Sequence, residues 1–161
     1  MNKIRIGMGY DVHQLVPDRE LWLGGIRITH EFGLLGHSDA DVLIHAICDA
    51  ILGAANMRDI GYHFPDNDKS FKNIDSKILL RKTVELIRKK GFEIGNIDAT
   101  VCAQRPRLNP YIPDMKDILA ETMSLSSEDI SIKATTTEHL GFTGREEGIA
   151  TYAVALLIKN S

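Results

Sequence analysis

Two side chains that commonly bind metals lie close together near the amino terminus, in the stretch GYDVHQL. Asp11 and His13 stand two positions apart, where a run of alternating apolar and polar residues ends. In an extended strand, residues i and i+2 project from the same face, so both side chains can reach one object. Imidazole nitrogen together with carboxylate oxygen suits zinc or a similar divalent metal.

A further candidate ligand lies on a predicted helix in the segment HSDADVLIHAICDAILGAA. Asp41, His45 and Asp49 stand at i, i+4 and i+8, on one helix face. Asp41 can simply complement the helix dipole, and Asp49 can be a solvated side chain. His45 with the strand pair completes a set of two histidines and one carboxylate, which leaves the fourth zinc position open as in catalytic sites. In this hypothesis Asp49, one turn beyond His45, orients the imidazole.

Three other segments add polar chemistry. RDIGYHFPDND carries Asp59, Asp66 and Asp68, and an ordinary acidic turn is the alternative explanation, preferred for Asp68. ATTTEHLGFTGREEG places three threonines beside Glu138, which suits phosphate oxygens and a hard cation, although Glu138 can also cap the next turn. AQRPRLNPYIP places two arginines in a proline-bent loop where backbone can meet a nucleotide.

The elements that position these residues follow from periodicity. Period-two patterns predict strands at the amino terminus, around a GG turn and in three later segments, and helical spacing predicts three helices. The strand segments are residues 3–8, 21–23, 26–28, 96–103, 130–134 and 149–158, and the helices begin near residue 38 and cover 75–90 and 110–123. Ser38 and Asp41 form a capping pattern. The continuous AVALLI predicts a last strand buried on both faces. This order predicts an α+β sandwich, with helices packed on one face of a mixed sheet.

Composition limits the possible functions. The chain has 161 residues and a mass of 17.9 kDa, the size of one domain, so we expect residues 1–161 to form a single unit. A net charge of −3 with scattered basic residues argues against a nucleic-acid partner, and no apolar run approaches a membrane span. Cys48 and Cys102 lie in apolar segments, which favours reduced core thiols, with Cys48 as a less favoured metal ligand.

The segments together resemble one family along nearly the whole chain. The sequence looks like the 2-C-methyl-D-erythritol 2,4-cyclodiphosphate synthases of the non-mevalonate isoprenoid pathway. The resemblance rests on GYDVH, LLGHSDADVLIHAICDAILGAA, DIGYHFPD, NIDATVCAQRP, IKATTTEHLGFTGREEGIA and AVALLI. It implies a ferredoxin-like or chorismate-mutase-like fold and zinc ligands at Asp11, His13 and His45. It also implies a magnesium or manganese ligand at Glu138.

The resemblance implies an enzyme that is a phosphorus–oxygen lyase. Its substrate is 4-diphosphocytidyl-2-C-methyl-D-erythritol 2-phosphate, whose 2-phosphate attacks the β-phosphorus, releases CMP and closes a cyclic diphosphate. Thr136 holds a phosphate oxygen, and His37 with Ser38 contacts the 2-phosphate end. Because the attacking phosphate is already ionised, positioning and charge neutralisation can supply the catalysis.

The remaining sugar and nucleotide contacts are implied in the same way. Asp59 and backbone near Gly61 hold the erythritol hydroxyls, and the loop through Phe64 to Asp66 closes over them. The cytidine pocket consists of residues from two segments: Ala103, Arg107, Leu108, Ala134, Thr135 and Thr136. The chain departs from the family pattern at Met8, Ala40, Lys69 and Arg107, and Arg107 replaces a usual lysine, which changes the donor geometry.

Assembly and setting are also implied. Family members are homotrimers that share active sites between subunits, and Phe142, Arg145 and Glu147 match positions near the threefold axis, where an isoprenoid diphosphate can bind. The expected location is the cytoplasm, or a plastid-type organelle if the precursor carried a transit segment. Two alternatives remain: a zinc phosphoesterase with Asp66 as base, and a trimeric nucleotide-binding module without turnover.

Overall fold

The computed structural model describes residues 3–65 and 67–159. The strands in this part of the chain are β1 (Lys3–Pro17), β2 (Leu21–Leu23), β3 (Ile26–Ile28), β4 (Phe32–Leu34), β5 (Phe92–Cys102), β6 (Ile130–Thr135) and β7 (Gly148–Lys159). They form a mixed five-stranded sheet in the order β4-β1-β7-β5-β6 and a separate hairpin of β2 and β3. The parallel pair is β5 with β6, and the other neighbours run antiparallel.

The longer helices cover one face of this sheet. They are α1 (Val42–Ala54), α3 (Ser76–Lys89) and α4 (Ile112–Met123), with the short α2 (Ile60–His63) and α5 (Gly141–Gly144) in loops. Helix α1 lies directly on β1 and β7, and α3 packs against α1. The predicted α+β architecture, with a mixed sheet and helices on one face, is therefore confirmed. Among the described helices, none combines the length and the apolar character needed to cross a membrane.

Local sequence explains where the helices begin and end. The Asp41 carboxylate accepts from the Ile44 N–H at 3.0 Å and caps α1, while the Ser38 hydroxyl accepts from the Ala40 N–H instead of capping the helix. Asp75 caps α3, and Gly91, in the left-handed region with φ +79°, follows its end. Ala40 has φ +57°, a conformation that glycine adopts without a steric penalty.

The hairpin of β2 and β3 is tied to the start of α1. Gly24 and Gly25 have φ values of +62° and +79°, which a two-residue hairpin turn of this kind requires. Their N–H groups donate to the Asp41 carboxylate at 3.0 and 2.7 Å. The buried Asp41 carboxylate therefore joins the hairpin to the start of α1 through hydrogen bonds, and its role is structural.

Small residues let α1 approach β1 very closely. A Cβ built on Gly7 would lie 2.1 Å from the Ala50 carbonyl oxygen, and one on Gly9 would lie 1.9 Å from that of Ala46. These distances are far below van der Waals contact, so the backbones can pack this closely only with glycine at both strand positions.

The opposite face of the sheet is apolar and exposed. Ile6, Met8 and Val154 are 70, 64 and 42 % exposed, and Tyr10 and Tyr152 lie beside them with ring centroids 4.9 Å apart. The prediction that AVALLI is buried on both faces is wrong for the single chain, because the helices cover only one face of β7.

Candidate active site

Three predicted metal ligands meet where β1 passes α1. The Asp11 Oδ2 atom lies 3.0 Å from His45 Nδ1 and 3.1 Å from His13 Nε2. The two imidazole nitrogens are 3.2 Å apart. All three residues are partly buried, and they form a cluster able to hold a metal ion.

The geometry of this triangle fits zinc. With bonds of about 2.0–2.1 Å, two ligand atoms of a tetrahedral zinc lie about 3.3 Å apart. The observed separations of 3.0 to 3.2 Å are close to that value without further movement. Two imidazole nitrogens and one carboxylate oxygen are also donors that zinc accepts, so the trio that spacing predicted can hold the ion.

Hydrogen bonds assign the free nitrogen on each imidazole. His13 Nδ1 lies 2.9 Å from the Leu35 carbonyl oxygen, so Nδ1 carries the proton and Nε2 is free as a ligand. His45 Nε2 lies 2.9 Å from the Ser76 hydroxyl and 3.2 Å from that of Ser38. Nδ1 of His45 therefore points into the triangle.

The prediction that Asp49 orients His45 is wrong. The Asp49 carboxylate accepts from the Ile60 N–H at 2.7 Å, and Ser76 and Ser38 are the partners of the second His45 nitrogen. Asp49 follows His45 by one helical turn, but its side chain forms a hydrogen bond with the segment that returns over the helix. The Asp49 carboxylate therefore fixes the start of α2.

Charge in the trio favours a cation. Burial raises the pKa of Asp11, but the adjacent imidazoles of His13 and His45 outweigh burial and lower it to about 2. Burial lowers the pKa of His45, yet contact with Asp11 and the negative charges of Asp41 and Asp39 give a net increase. The carboxylate is therefore ionised at neutral pH, and positive charge beside it is stabilised.

The trio opens into a cavity of about 320 Å³, whose lining includes several predicted substrate contacts: His37, Ser38, Asp59, Gly61 and Phe64. His37 and Asp59 are exposed at its rim, and Ser38 is buried in its wall. Phe64 stacks edge-to-face on Phe71, with centroids 5.5 Å apart. Asp66, predicted as a contact and as a possible base, lies outside the described residues.

A second cavity, of about 280 Å³, lies at the carboxyl ends of the parallel strands β5 and β6. It brings together the residues predicted for cytidine: Ala103, Arg107, Leu108, Ala134, Thr135 and Thr136. Its lining residues are separate from those of the metal cavity. Arg105 is held away by ion pairs with Glu31 and Glu146, at 3.1 and 3.0 Å.

Glu138 and the carboxyl-terminal positions lie elsewhere on the chain. Glu138 is exposed in the turn after β6, its N–H donating to Thr136 Oγ1 at 3.3 Å, and it is not a member of the metal-binding trio. The exposed Arg145 forms a bidentate pair with Glu147 at 2.8 and 3.2 Å. Phe142 lines a shallow hollow with Leu140 and Tyr152.

A family comparison matches almost the entire chain. The model of the YgbB family covers residues 4–158. The chain belongs to the YgbB family. Among its relatives, the 2-C-methyl-D-erythritol 2,4-cyclodiphosphate synthase of Parabacteroides distasonis is 74 % identical over 155 residues, 96 % of each chain. The synthase of Bacteroides fragilis is 72 % identical over 155 residues, 96 % of this chain and 98 % of its own. The resemblance inferred from the motifs is thus confirmed.

Solved structures share the fold of this chain. The bifunctional IspDF of Campylobacter jejuni matches with a TM-score of 0.96 and 44 % identity, over 100 % of this chain and 44 % of its own. The IspF of Plasmodium falciparum, solved as a CDP complex, matches with a TM-score of 0.87 and 37 % identity, over 100 % of this chain and 99 % of its own. The chain is thus a synthase-family enzyme whose complete fold has solved counterparts.

The sequence did not predict two residues beside the trio. Ser76, 31 positions from His45 along the chain, lies within hydrogen-bond distance of its imidazole, and Asp39 accepts hydrogen bonds from Ser76. Both are polar residues near the start of a helix, and nothing in their spacing relates them to a metal site. Cys48, considered as a ligand, is fully buried outside the trio, and burial raises its thiol pKa to about 12.

Proposed function

We propose that this enzyme converts 4-diphosphocytidyl-2-C-methyl-D-erythritol 2-phosphate into 2-C-methyl-D-erythritol 2,4-cyclodiphosphate and CMP, as a phosphorus–oxygen lyase of isoprenoid precursor biosynthesis. The observation that carries the proposal is the triangle of Asp11, His13 and His45 atoms, 3.0 to 3.2 Å apart, at the floor of a cavity in a family member. An open metal site beside a sugar-sized cavity suits a diphosphate substrate.

The proposal includes two metals. Asp11, His13 and His45 would hold zinc, and the exposed Glu138 would hold magnesium or manganese, which binds through one or two carboxylates together with substrate phosphates and water. When bound, these cations supply Lewis-acid polarisation and neutralise charge on the phosphate oxygens.

The chain's own contribution near the trio is to hold the attacking phosphate. Its oxygen is already ionised near neutral pH, so the reaction needs position more than a general base. Ser38 Oγ accepts from the Ala40 N–H at 3.1 Å, which leaves the hydroxyl hydrogen free to donate to a phosphate oxygen. His37, exposed beside it, adds a second donor at the 2-phosphate end.

The short helix α2 supplies the proposed sugar contacts. Asp59 and Gly61 flank its start, and Asp49 fixes that start through the Ile60 N–H. The Asp59 carboxylate accepts from erythritol hydroxyls, and the backbone at Gly61 donates. Phe64 and Phe71, in contact with each other, form the apolar wall that keeps water from this end of the cavity.

The second cavity is the proposed cytidine pocket. Buried Ala103 and Leu108 give it an apolar floor for the base, while Thr135 and Thr136 offer hydroxyls for ribose and phosphate. Arg107 is exposed at its edge, and its planar guanidinium replaces the compact ammonium of lysine at the diphosphate. The CDP complex of the Plasmodium falciparum relative supports a cytidine nucleotide as the ligand.

We propose a homotrimer in which these two cavities meet between subunits. The apolar outer face of the sheet supports assembly, because exposed apolar patches of this kind mark protein interfaces. Separate linings for the metal and cytidine cavities in one chain support a site shared between chains. A central cavity with Phe142 and Arg145 would accept an isoprenoid diphosphate, whose charge would compete with Glu147 for the guanidinium.

Residues 1–161 would act as one synthase domain, and the bacterial relatives support a cytoplasmic setting.

The proposed reaction is tested by running it in ¹⁸O-labelled water. Cyclisation brings no water oxygen into either product, because the nucleophile is a substrate phosphate. A zinc phosphoesterase would instead place one labelled oxygen in CMP or in the linear phosphate. Label in the products would therefore reject the proposed reaction.

A further inference from the structure

The nitrogen of His45 that points away from the trio contacts two serines, and the two differ in their surroundings. Ser76 Oγ lies 2.9 Å from His45 Nε2, and Ser38 Oγ lies 3.2 Å from it. Ser76 is 0 % exposed at the first position of α3, away from the cavity. Ser38 lines the cavity, within reach of a ligand.

Asp39 fixes the direction of the hydrogen bond between Ser76 and His45. The Ser76 hydroxyl donates to Asp39 Oδ1, and the Ser76 N–H donates to Asp39 Oδ2 at 2.9 Å. The only hydroxyl hydrogen of Ser76 is thus committed to a carboxylate. Its oxygen must accept from His45, so Nε2 carries the imidazole proton and Nδ1 keeps its lone pair for the metal.

The anchor itself is held by the backbone. Asp39 Oδ1 also accepts from the Asp41 N–H at 3.2 Å, and the Asp39 N–H donates to the Ile74 carbonyl at 3.2 Å. The network therefore joins the segment before α1 to the start of α3. Metal-binding histidines generally donate their second N–H to such a partner, which fixes the ring and makes the ligand nitrogen more basic.

We propose that Ser76 is the positioning residue of the metal centre, with Asp39 as its anchor, and that Ser38 is free for substrate. Ser76 acts through His45 and contacts no substrate. The inference rests on the zinc site in the proposed function, but it does not depend on the reaction that the site performs.

The test is the zinc dissociation constant of the purified protein, measured by competition with a chromophoric chelator. Ser76→Ala should weaken zinc binding about 10- to 100-fold, the usual cost of removing such a partner. Ser38→Ala is the matched control, since it removes a hydroxyl beside the same nitrogen, and it should leave zinc affinity unchanged. Thermal unfolding of the metal-free variants checks that each is folded.

A second variant makes the test independent of Ser76→Ala alone. Asp39→Asn turns one carboxylate oxygen into a donor that faces the donors of Ser76, so it should weaken zinc binding in the same direction. In a Ser76→Ala background, Asp39→Asn should have no further effect, because its influence passes through Ser76.

The inference would be overturned if folded Ser76→Ala bound zinc as tightly as the wild type. It would also be overturned if Ser38→Ala lost as much zinc affinity as Ser76→Ala, or if the effects of the Ser76 and Asp39 changes were additive. None of these measurements uses substrate. A loss of zinc affinity in Ser76→Ala with no cyclic product from the wild type would reject the proposed reaction and leave the positioning role intact.

Discussion

Gly9 of β1 lies directly against the Ala46 carbonyl of α1, so close that a Cβ on the glycine would be 1.9 Å from that oxygen. Asp11 follows Gly9 by two residues on the same strand face, and His45 precedes Ala46. The contact between strand and helix therefore sets the 3.0 Å separation between Asp11 Oδ2 and His45 Nδ1. The cluster that can hold a metal therefore depends on a packing contact outside the cluster itself.

Gly9→Ala should separate α1 from β1 and weaken both stability and zinc binding. Overpacking of this kind costs about 1–3 kcal/mol and sometimes more. Urea unfolding and chelator competition measure the two effects. Gly53→Ala is the control, since Gly53 is exposed on α1 with its nearest outside atom at 4.0 Å, and alanine should stabilise that helix by about 0.5–1 kcal/mol. Unchanged stability and zinc affinity in Gly9→Ala would contradict this account.

The sequence predicts those parts of the fold that local chemistry determines. The GG turn between β2 and β3, the capped and amphipathic α3, and the pairing of Asp11 with His13 each follow from a few neighbouring residues. The helix spacing of His45 adds the third member of the cluster that can hold a metal. These predictions succeed because i, i+2 and i, i+4 relationships survive in the folded chain.

Other features depend on how distant segments return to the site. Spacing placed Asp49 beside His45, but the chain after α1 turns back and brings the Ile60 N–H to that carboxylate. Ser76 reaches His45 only because α3 packs on α1. The exposure of the outer side of β7 was not predicted, because an apolar run has the same sequence pattern whether helices or other subunits cover it.

Asp49→Ala should disturb the sugar contacts and leave the metal site unchanged. The partly buried Ile60 N–H would lose its acceptor, at a cost below the roughly 1–3 kcal/mol of a fully buried donor, and α2 would shift with Asp59. We expect a higher KM for substrate with unaltered zinc affinity, and a smaller change in Asp49→Asn, which keeps an acceptor oxygen. A weakened zinc affinity in Asp49→Ala would instead support a role in orienting His45.

Ile6→Glu should break the proposed trimer. It places a charge on the apolar outer face of the sheet, where Ile6 is 70 % exposed in the single chain. Light scattering after size-exclusion chromatography should show a smaller particle. Ile78→Glu makes the same change at an exposed apolar residue of α3, on the helical side, and should leave the mass unchanged. Equal masses for wild type and Ile6→Glu would place the interface elsewhere.

Cys48 should give the stability of the protein a specific dependence on alkaline pH. Burial raises its thiol pKa to about 12, above the value of about 8.5 for an unfolded cysteine. A group with a raised folded pKa stabilises below its unfolded pKa and loses that contribution as pH rises toward the folded value. The free energy of unfolding should therefore fall between about pH 8.5 and about pH 10 by about 2 kcal/mol more in wild type than in Cys48→Ala. Parallel pH profiles for the two proteins would show that the thiol makes no such contribution.

The most direct test of the central claim is phosphorus NMR of the purified protein with the diphosphocytidyl substrate and magnesium, beside the His45→Ala variant. We expect CMP and a cyclic diphosphate from the wild type, and neither from the variant, because His45 is one of the three residues that would hold the metal. CMP with a linear phosphate, unchanged substrate in the wild type, or full turnover in His45→Ala would contradict it.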